Sequence, residues 1–124
     1  KQEAAKQFKG QVIQELKTVD GINIFIGELP LETGAIKDIA FQLKHEHAPF
    51  FGVFGSRVGG KPTLSVALSD TLVSERQLNA SAIVRDLAKA IQGGGGGQPF
   101  FATAGGKNPE GMDTALDAAR LLKL

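Results

Sequence analysis

Gly93-Gly94-Gly95-Gly96-Gly97-Gln98-Pro99-Phe100-Phe101 is the stretch on which the reading of this chain turns, with Ala104-Gly105-Gly106-Lys107 close behind. Each glycine loses more backbone freedom on ordering than any other residue, so five in a row favour no regular element. A flexible linker would run on into serine, glycine and polar residues. Here the run stops at Pro99 and the chain turns apolar at once. The position predicts a glycine loop inside a domain, at a point where backbone passes close to something.

Upstream of the glycines, Asn79 reads as the N-cap of a helix that buries Ile83, Val84, Leu87, Ala88 and Ile91. Gly93 then takes the position just past the helix end. Downstream, residues 98–103 supply a short strand with Phe100 or Phe101 in the core. Asn108-Pro109-Glu110 carries the signals of a helix start: a capping residue, proline at the first helical position and an acid in the first turn. Met112, Ala115, Leu116, Ala119 and Leu122 form the apolar face of that last helix.

Further towards the N-terminus, residues 50–54 and 64–68 are β-rich runs joined by a glycine-containing hairpin turn over residues 55–62. Arg57 and Lys61 flank that turn with no acid nearby in the sequence. They read either as phosphate contacts or as solvated turn cations. Residues 69–78 read as a polar connection. Residues 32–46 place Ile36, Ile39, Ala40 and Leu43 on one helical face. His45 and His47 at the end of that helix point in different directions, whereas a metal site wants i, i+4 spacing and further ligands. Ile22-Asn23-Ile24-Phe25-Ile26 is a strand, preceded by the break Asp20-Gly21. Residues 2–19 read as a helix through Phe8, Val12, Leu16 and Val19, with Lys1, Lys6, Lys9 and Lys17 outnumbering Glu3 and Glu15. That charge is either a solvated face or a phosphate-facing edge.

The order α-β-α-β-β-α-β-α predicts an α+β single domain with a central mixed β-sheet flanked by α-helices. The hairpin is antiparallel, while the two helical connections permit parallel pairing. Residues 1–19 are expected to be the end of a helical subdomain, and residues 20–124 the globular part.

The inventory of side chains excludes much chemistry. The absence of cysteine removes disulfides, thiolate metal sites and a cysteine nucleophile. No Asp/His cluster has metal-ligand spacing, and no serine lies in a nucleophile elbow. The glycine run lacks the Gly-Lys-Ser/Thr of a nucleotide-phosphate loop, and it follows a helix where a dinucleotide fingerprint follows a strand. Apolar content of 42% and charge of 22% place the chain among globular domains, and no apolar run approaches the roughly 18 residues of a membrane span. A net charge of +1 means that any polyanion is held by a local patch. All eight aromatics are phenylalanine, which suits core packing better than exposed base stacking. The glycines can still bind, since bare N–H groups make an anion-receptive surface. They can equally serve only to let the chain pass tightly between helix and strand.

Gly93-Gly94-Gly95-Gly96-Gly97-Gln98-Pro99 followed by Ala102-Thr103-Ala104-Gly105-Gly106-Lys107 resembles the C-terminal motif of alanyl-tRNA synthetases, a domain type (DHHA1) also found at the C-terminus of DHH phosphodiesterases. The hairpin and the Ile-Val-Arg-x-Leu-Ala pattern of the Asn79 helix fit the same family, over roughly residues 20–124. The resemblance implies a non-catalytic tRNA-binding module that holds the elbow of tRNA(Ala), so that aminoacylation and editing sites elsewhere in a ligase cooperate. It implies ATP, Mg and Zn in other parts of that enzyme and no cofactor here. It further implies contact with the other synthetase domains, a homodimer through the preceding helical region, and a cytoplasmic location without membrane contact. The RNA-binding candidates are Arg57, Lys61, Gly93, Gly94, Gly95, Gly96, Gly97, Gln98 and Lys107. Many family members carry Arg where Gln98 stands and Asp where Phe100 stands, so either Gln98 donates a neutral hydrogen bond in place of that Arg or the phosphate-binding cation comes from Lys107. Two other readings are a nucleotide-binding accessory domain of a phosphodiesterase and a purely structural dimerisation module. Phosphodiesterase members place His after the glycines, and here Gln98-Pro99 stands there.

Overall fold

The structure, a computed structural model, describes residues 2–121, with side chains from Gln7 onward. Lys1, the Lys6 side chain and Leu122 lie outside the described residues. The elements are α1 (Gln2–Glu15), β1 (Lys17–Val19), β2 (Ile22–Glu28), α2 (Thr33–Glu46), β3 (Phe50–Ser56), β4 (Thr63–Leu68), α3 (Asp70–Glu75), α4 (Ala80–Ala88), β5 (Gly94–Gly97), β6 (Phe101–Gly105) and α5 (Met112–Arg120). Six strands form one mixed sheet in the order β1-β2-β3-β4-β6-β5. Only β2 and β3 run parallel, across the α2 connection; every other pair is antiparallel.

Because side chains alternate across a strand, the central strands feed two cores. Phe50 and Phe54 face one side with Phe25, Ala67 and Phe101, where α1 and α2 cover them through Val12, Ile36, Ile39, Ala40 and Leu43. Phe51 and Val53 face the other side with Leu64, Val66 and Ala102. There α4 and α5 supply Val84, Leu87, Ala88, Met112, Ala115 and Leu116. All seven residues of β3 are buried. Each large side chain so enclosed contributes about 1.5–3 kcal/mol, so the middle of the sheet anchors the molecule. Phe25 and Phe54 rings lie 5.3 Å apart, within the offset range that adds to simple burial. Lys9 on α1 reaches Gln42 at 2.6 Å and Glu46 at 2.7 Å on α2, tying the first helix down.

The α+β sheet with flanking helices is as the periodicity predicts, and several boundaries differ; the strand expected over residues 98–103 runs from Phe101 to Gly105, because Gln98 and Phe101 close a turn ahead of it. The first helix ends at Glu15, and Lys17–Val19 turns into an edge strand pairing with Ile22–Ile24. Asp20 (φ 52°) and Gly21 (φ 79°) are the two central residues of its hairpin, and two successive positive-φ residues match the right-handed strand twist. The polar connection 69–78 contains α3, whose Leu72 is buried. The left-handed residue that ends the helix before the glycines is Gln92 (φ 54°), one position before the expected Gly93. The last helix begins with a 3₁₀ turn at Pro109–Gly111, and Asn108 precedes it without making a side-chain cap bond. Asn79 does cap α4: its Oδ1 accepts from the N–H groups of Ser81 (2.9 Å) and Ala82 (3.2 Å).

Candidate nucleic-acid interface

The glycine run is an edge strand. Gly94 to Gly97 pair in register with Gly105, Ala104, Thr103 and Ala102 of β6, which overturns the expectation of a loop. It also explains why β6 meets β4 antiparallel: the glycine strand takes the return direction first, and β6 comes back from it. Glycine is a poor strand former, and close approach of backbones is what selects it here. A Cβ on Gly95 would overlap the Thr103 carbonyl oxygen, and one on Gly93 would overlap that of Gly105. At Gly96 an added Cβ would instead sit 3.2 Å from Ser81 Oγ and 3.3 Å from Arg85 Nη2 on α4.

The hairpin that closes the strand is pinned from several sides. Gln98 and Phe101 exchange both backbone hydrogen bonds, 2.9 and 3.3 Å. The Pro99 carbonyl accepts from Ala80 N–H and the Phe100 carbonyl from Leu68 N–H, each at 2.8 Å. Lys44, only 7% exposed, holds its Nζ 4.3 Å from the Phe100 ring centre and 5.3 Å from that of Phe41. Burial lowers the pKa of this ammonium group, and Asp70, 3.9 Å away, partly opposes that.

The cations gather at the opposite end of the same strand. Gly106 N–H donates to the Pro62 carbonyl at 2.9 Å, so Lys61 and Lys107 flank a single hydrogen bond between neighbouring segments. Gly94 pairs with Gly105 at this end. Both lysines are exposed, and neither has a side-chain partner among the described residues. Arg57 lies here too, with Nη1 3.4 Å from the Pro109 carbonyl. It is not the unpaired cation that its sequence neighbours suggest: Glu28, brought in by the parallel pairing of β2, binds it through Nε and Nη2 at 2.6 Å each. The hydrogen bonds that Arg57 donates to Glu28, and then the charge of that carboxylate, raise the Arg57 pKa. Gln98 sits at the far end, about four strand residues or ~14 Å along from Gly94. There it lines a cleft of about 400 Å³ with Lys37, Phe41, Gly97, Phe100 and Thr103. Among the described residues no three His, Asp or Glu side chains come together as a metal site would need.

The DHHA1 domain model matches residues 9–122. The chain belongs to the DHHA1 family. As a DHHA1 domain it is similar to part of alanine–tRNA ligases: 50% identical over 115 residues to that of Christiangramia forsetii, and 44% identical over 116 residues to that of Bacteroides thetaiotaomicron. In both cases the match covers 93% of this chain and 13% of the relative, so the chain spans about an eighth of the curated relatives it matches. The fold matches that of the C-Ala domain of Aquifex aeolicus alanyl-tRNA synthetase with a TM-score of 0.73, at 24% identity over 85% of this chain and 94% of the other. A DHH-domain member of the s1p family of ribosomal proteins shares the fold more distantly, with a TM-score of 0.57 at 19% identity, over 99% of this chain and 31% of the other.

Sequence reasoning missed three cations around the glycine hairpin: Arg85 beside Gly95, Lys37 in the cleft with Gln98, and Lys44 against the Phe100 ring. For Arg85 the signal was present. Seven residues of helix from Arg85 to Gln92 advance about 10 Å. Three residues of returning strand retrace about the same distance, which brings Arg85 back beside Gly95 and Gly96. Lys37 and Lys44 could not be placed that way, because α2 reaches the edge only through the sheet order.

Proposed function

We propose that this DHHA1 domain is the tRNA-binding module of an alanine–tRNA ligase and holds the elbow of tRNA(Ala). The observation that carries the reading is the convergence of Lys61 and Lys107, without partners among the described residues, beside the start of a bare glycine edge. Recognition of an elbow rests on shape, phosphates and exposed loop bases, and cations with accessible backbone donors suit the first two. With a net charge of +1 the domain adds affinity by effective concentration within a larger enzyme, in place of tight binding alone. Aminoacylation and editing, with their ATP, Mg and Zn, belong in this reading to other parts of the ligase, as does self-association through the helical region. No helix among the described residues is long and apolar enough to cross a membrane, and the cytoplasm, where tRNA is charged, is the compartment this reading assigns.

The test is a titration of full-length tRNA(Ala) and of an acceptor-stem minihelix that lacks the elbow. Full-length tRNA binds with an affinity that falls steeply as salt rises, and the minihelix binds far more weakly. Equal affinity for the two RNAs would refute the elbow assignment.

A further inference from the structure

The register of the glycine hairpin fixes which backbone groups face outward. Gln98 and Phe101 exchange both hydrogen bonds. In an antiparallel ladder such pairs alternate with pairs that exchange none. With the observed register, Gly96–Thr103 and Gly94–Gly105 are bonded pairs, and Gly97–Ala102 and Gly95–Ala104 are not. The N–H groups of Gly95 and Gly97 therefore point away from the sheet, along its free edge. The Gly95 carbonyl points the same way, and Arg85 meets it there, donating from Nε at 3.2 Å.

That contact uses one of the five N–H donors of the guanidinium. Arg85 is exposed and takes part in no ion pair among the described residues; its neighbour Asp86 faces Lys89 at 3.6 Å. The guanidinium and the Ser81 hydroxyl border the space that the missing Gly96 side chain leaves open, since a Cβ there would come within 3.3 Å of Nη2 and 3.2 Å of Oγ. Two outward N–H groups two residues apart, a charged planar fork held in place by its own hydrogen bond, and a hydroxyl stand together where no Cβ obstructs approach. A planar fork suits the oxygens of a phosphate.

We infer that the free edge of β5, with Arg85 as its cation, is a phosphodiester-binding site: Arg85 Nη groups and the N–H groups of Gly95 and Gly97 take RNA backbone phosphate. The inference rests on the tRNA-binding reading and deepens it, by assigning the phosphate contact to Arg85 in addition to Lys61 and Lys107. The glycines serve both purposes at once: Gly95 is required by its closeness to β6, and Gly96 leaves open the space that the guanidinium borders.

Arg85→Gln and Arg85→Lys, compared with the unaltered chain for tRNA(Ala) binding across a salt series, test it, with thermal unfolding as the control for folding. Arg85→Gln is expected to weaken binding about tenfold at low salt, the size of one charge-assisted contact. It should also make the slope of log K against log salt shallower by about 1. Arg85→Lys keeps the slope and recovers only part of the affinity, since it replaces a fork by a point charge. If Arg85→Gln binds with unchanged affinity and slope while the unaltered chain binds tRNA, the inference is overturned and the elbow reading stands; Arg85 is then a staple on the strand edge. If Arg85→Gln flattens the slope while tRNA and minihelix bind alike, the phosphate site stands and the elbow reading falls.

Discussion

Replacing single glycines of the 93–97 run by alanine should give opposite results at adjacent positions. At Gly94 a Cβ would meet nothing within 4 Å, whereas at Gly95 it would overlap the Thr103 carbonyl oxygen and crowd Ala104. Gly94→Ala removes unfolded-state freedom without a native penalty, so it stabilises by about 0.4–1 kcal/mol. Gly95→Ala must push β5 off β6. Overpacking of this kind costs about 1–3 kcal/mol even among side chains that can adjust. Here the obstacle is backbone, so the upper end applies. With roughly 4 °C of midpoint per kcal/mol for a chain of this size, Gly94→Ala should melt about 2–4 °C above the parent and Gly95→Ala on the order of 10 °C below it. Thermal unfolding followed by circular dichroism, with urea titration for the free energies, reads both. If the two variants shift alike in either direction, the run is not held as a strand against β6 and the register argument for its outward donors fails with it.

Three other outcomes follow from side-chain contacts. Lys61→Glu with Lys107→Glu should weaken tRNA(Ala) binding and flatten its salt slope by about 2, while Arg57→Gln should leave binding nearly unchanged, because Glu28 already occupies that guanidinium; filter-binding titrations distinguish them. Asn79→Ala removes the acceptor for two N–H groups at the start of α4 and should cost about 1 kcal/mol in urea unfolding. The hydrogen bond from Lys9 lowers the pKa of Glu46. Its stabilising contribution is therefore present above the ordinary carboxylate value and lost as pH falls through the lowered one. Compared in thermal melts, the parent should exceed Glu46→Gln at neutral pH, and the gap should close in acid.

The central part of the fold was legible because its signals are local. Periodicity placed α2 and the Asn79 helix, and the apolar β-rich runs placed β2, β3 and β4. The errors share a cause. Lys17–Val19 continues the apolar spacing of α1, and only pairing with β2 makes it a strand. The Asp20-Gly21 pair was a hairpin signal read as a helix break. Gly94–Gly97 defy strand propensity, and what makes them a strand is the closeness of β6, a tertiary fact. Arg57 looked unpaired because Glu28 lies 29 residues away in sequence, and only the parallel register joins them. The sequence offered the candidate site as an undivided set of glycines and cations. Its division into a lysine end, a Gln98 end and a middle held by Arg85 came from the sheet order.

The most direct measurement is the change in backbone amide signals of the ¹⁵N-labelled chain on adding tRNA(Ala). The account predicts that Gly95 and Gly97 shift most, together with Lys61 and Lys107, while amides of α1 stay in place. Shifts concentrated on α1, with the glycine edge silent, would contradict it.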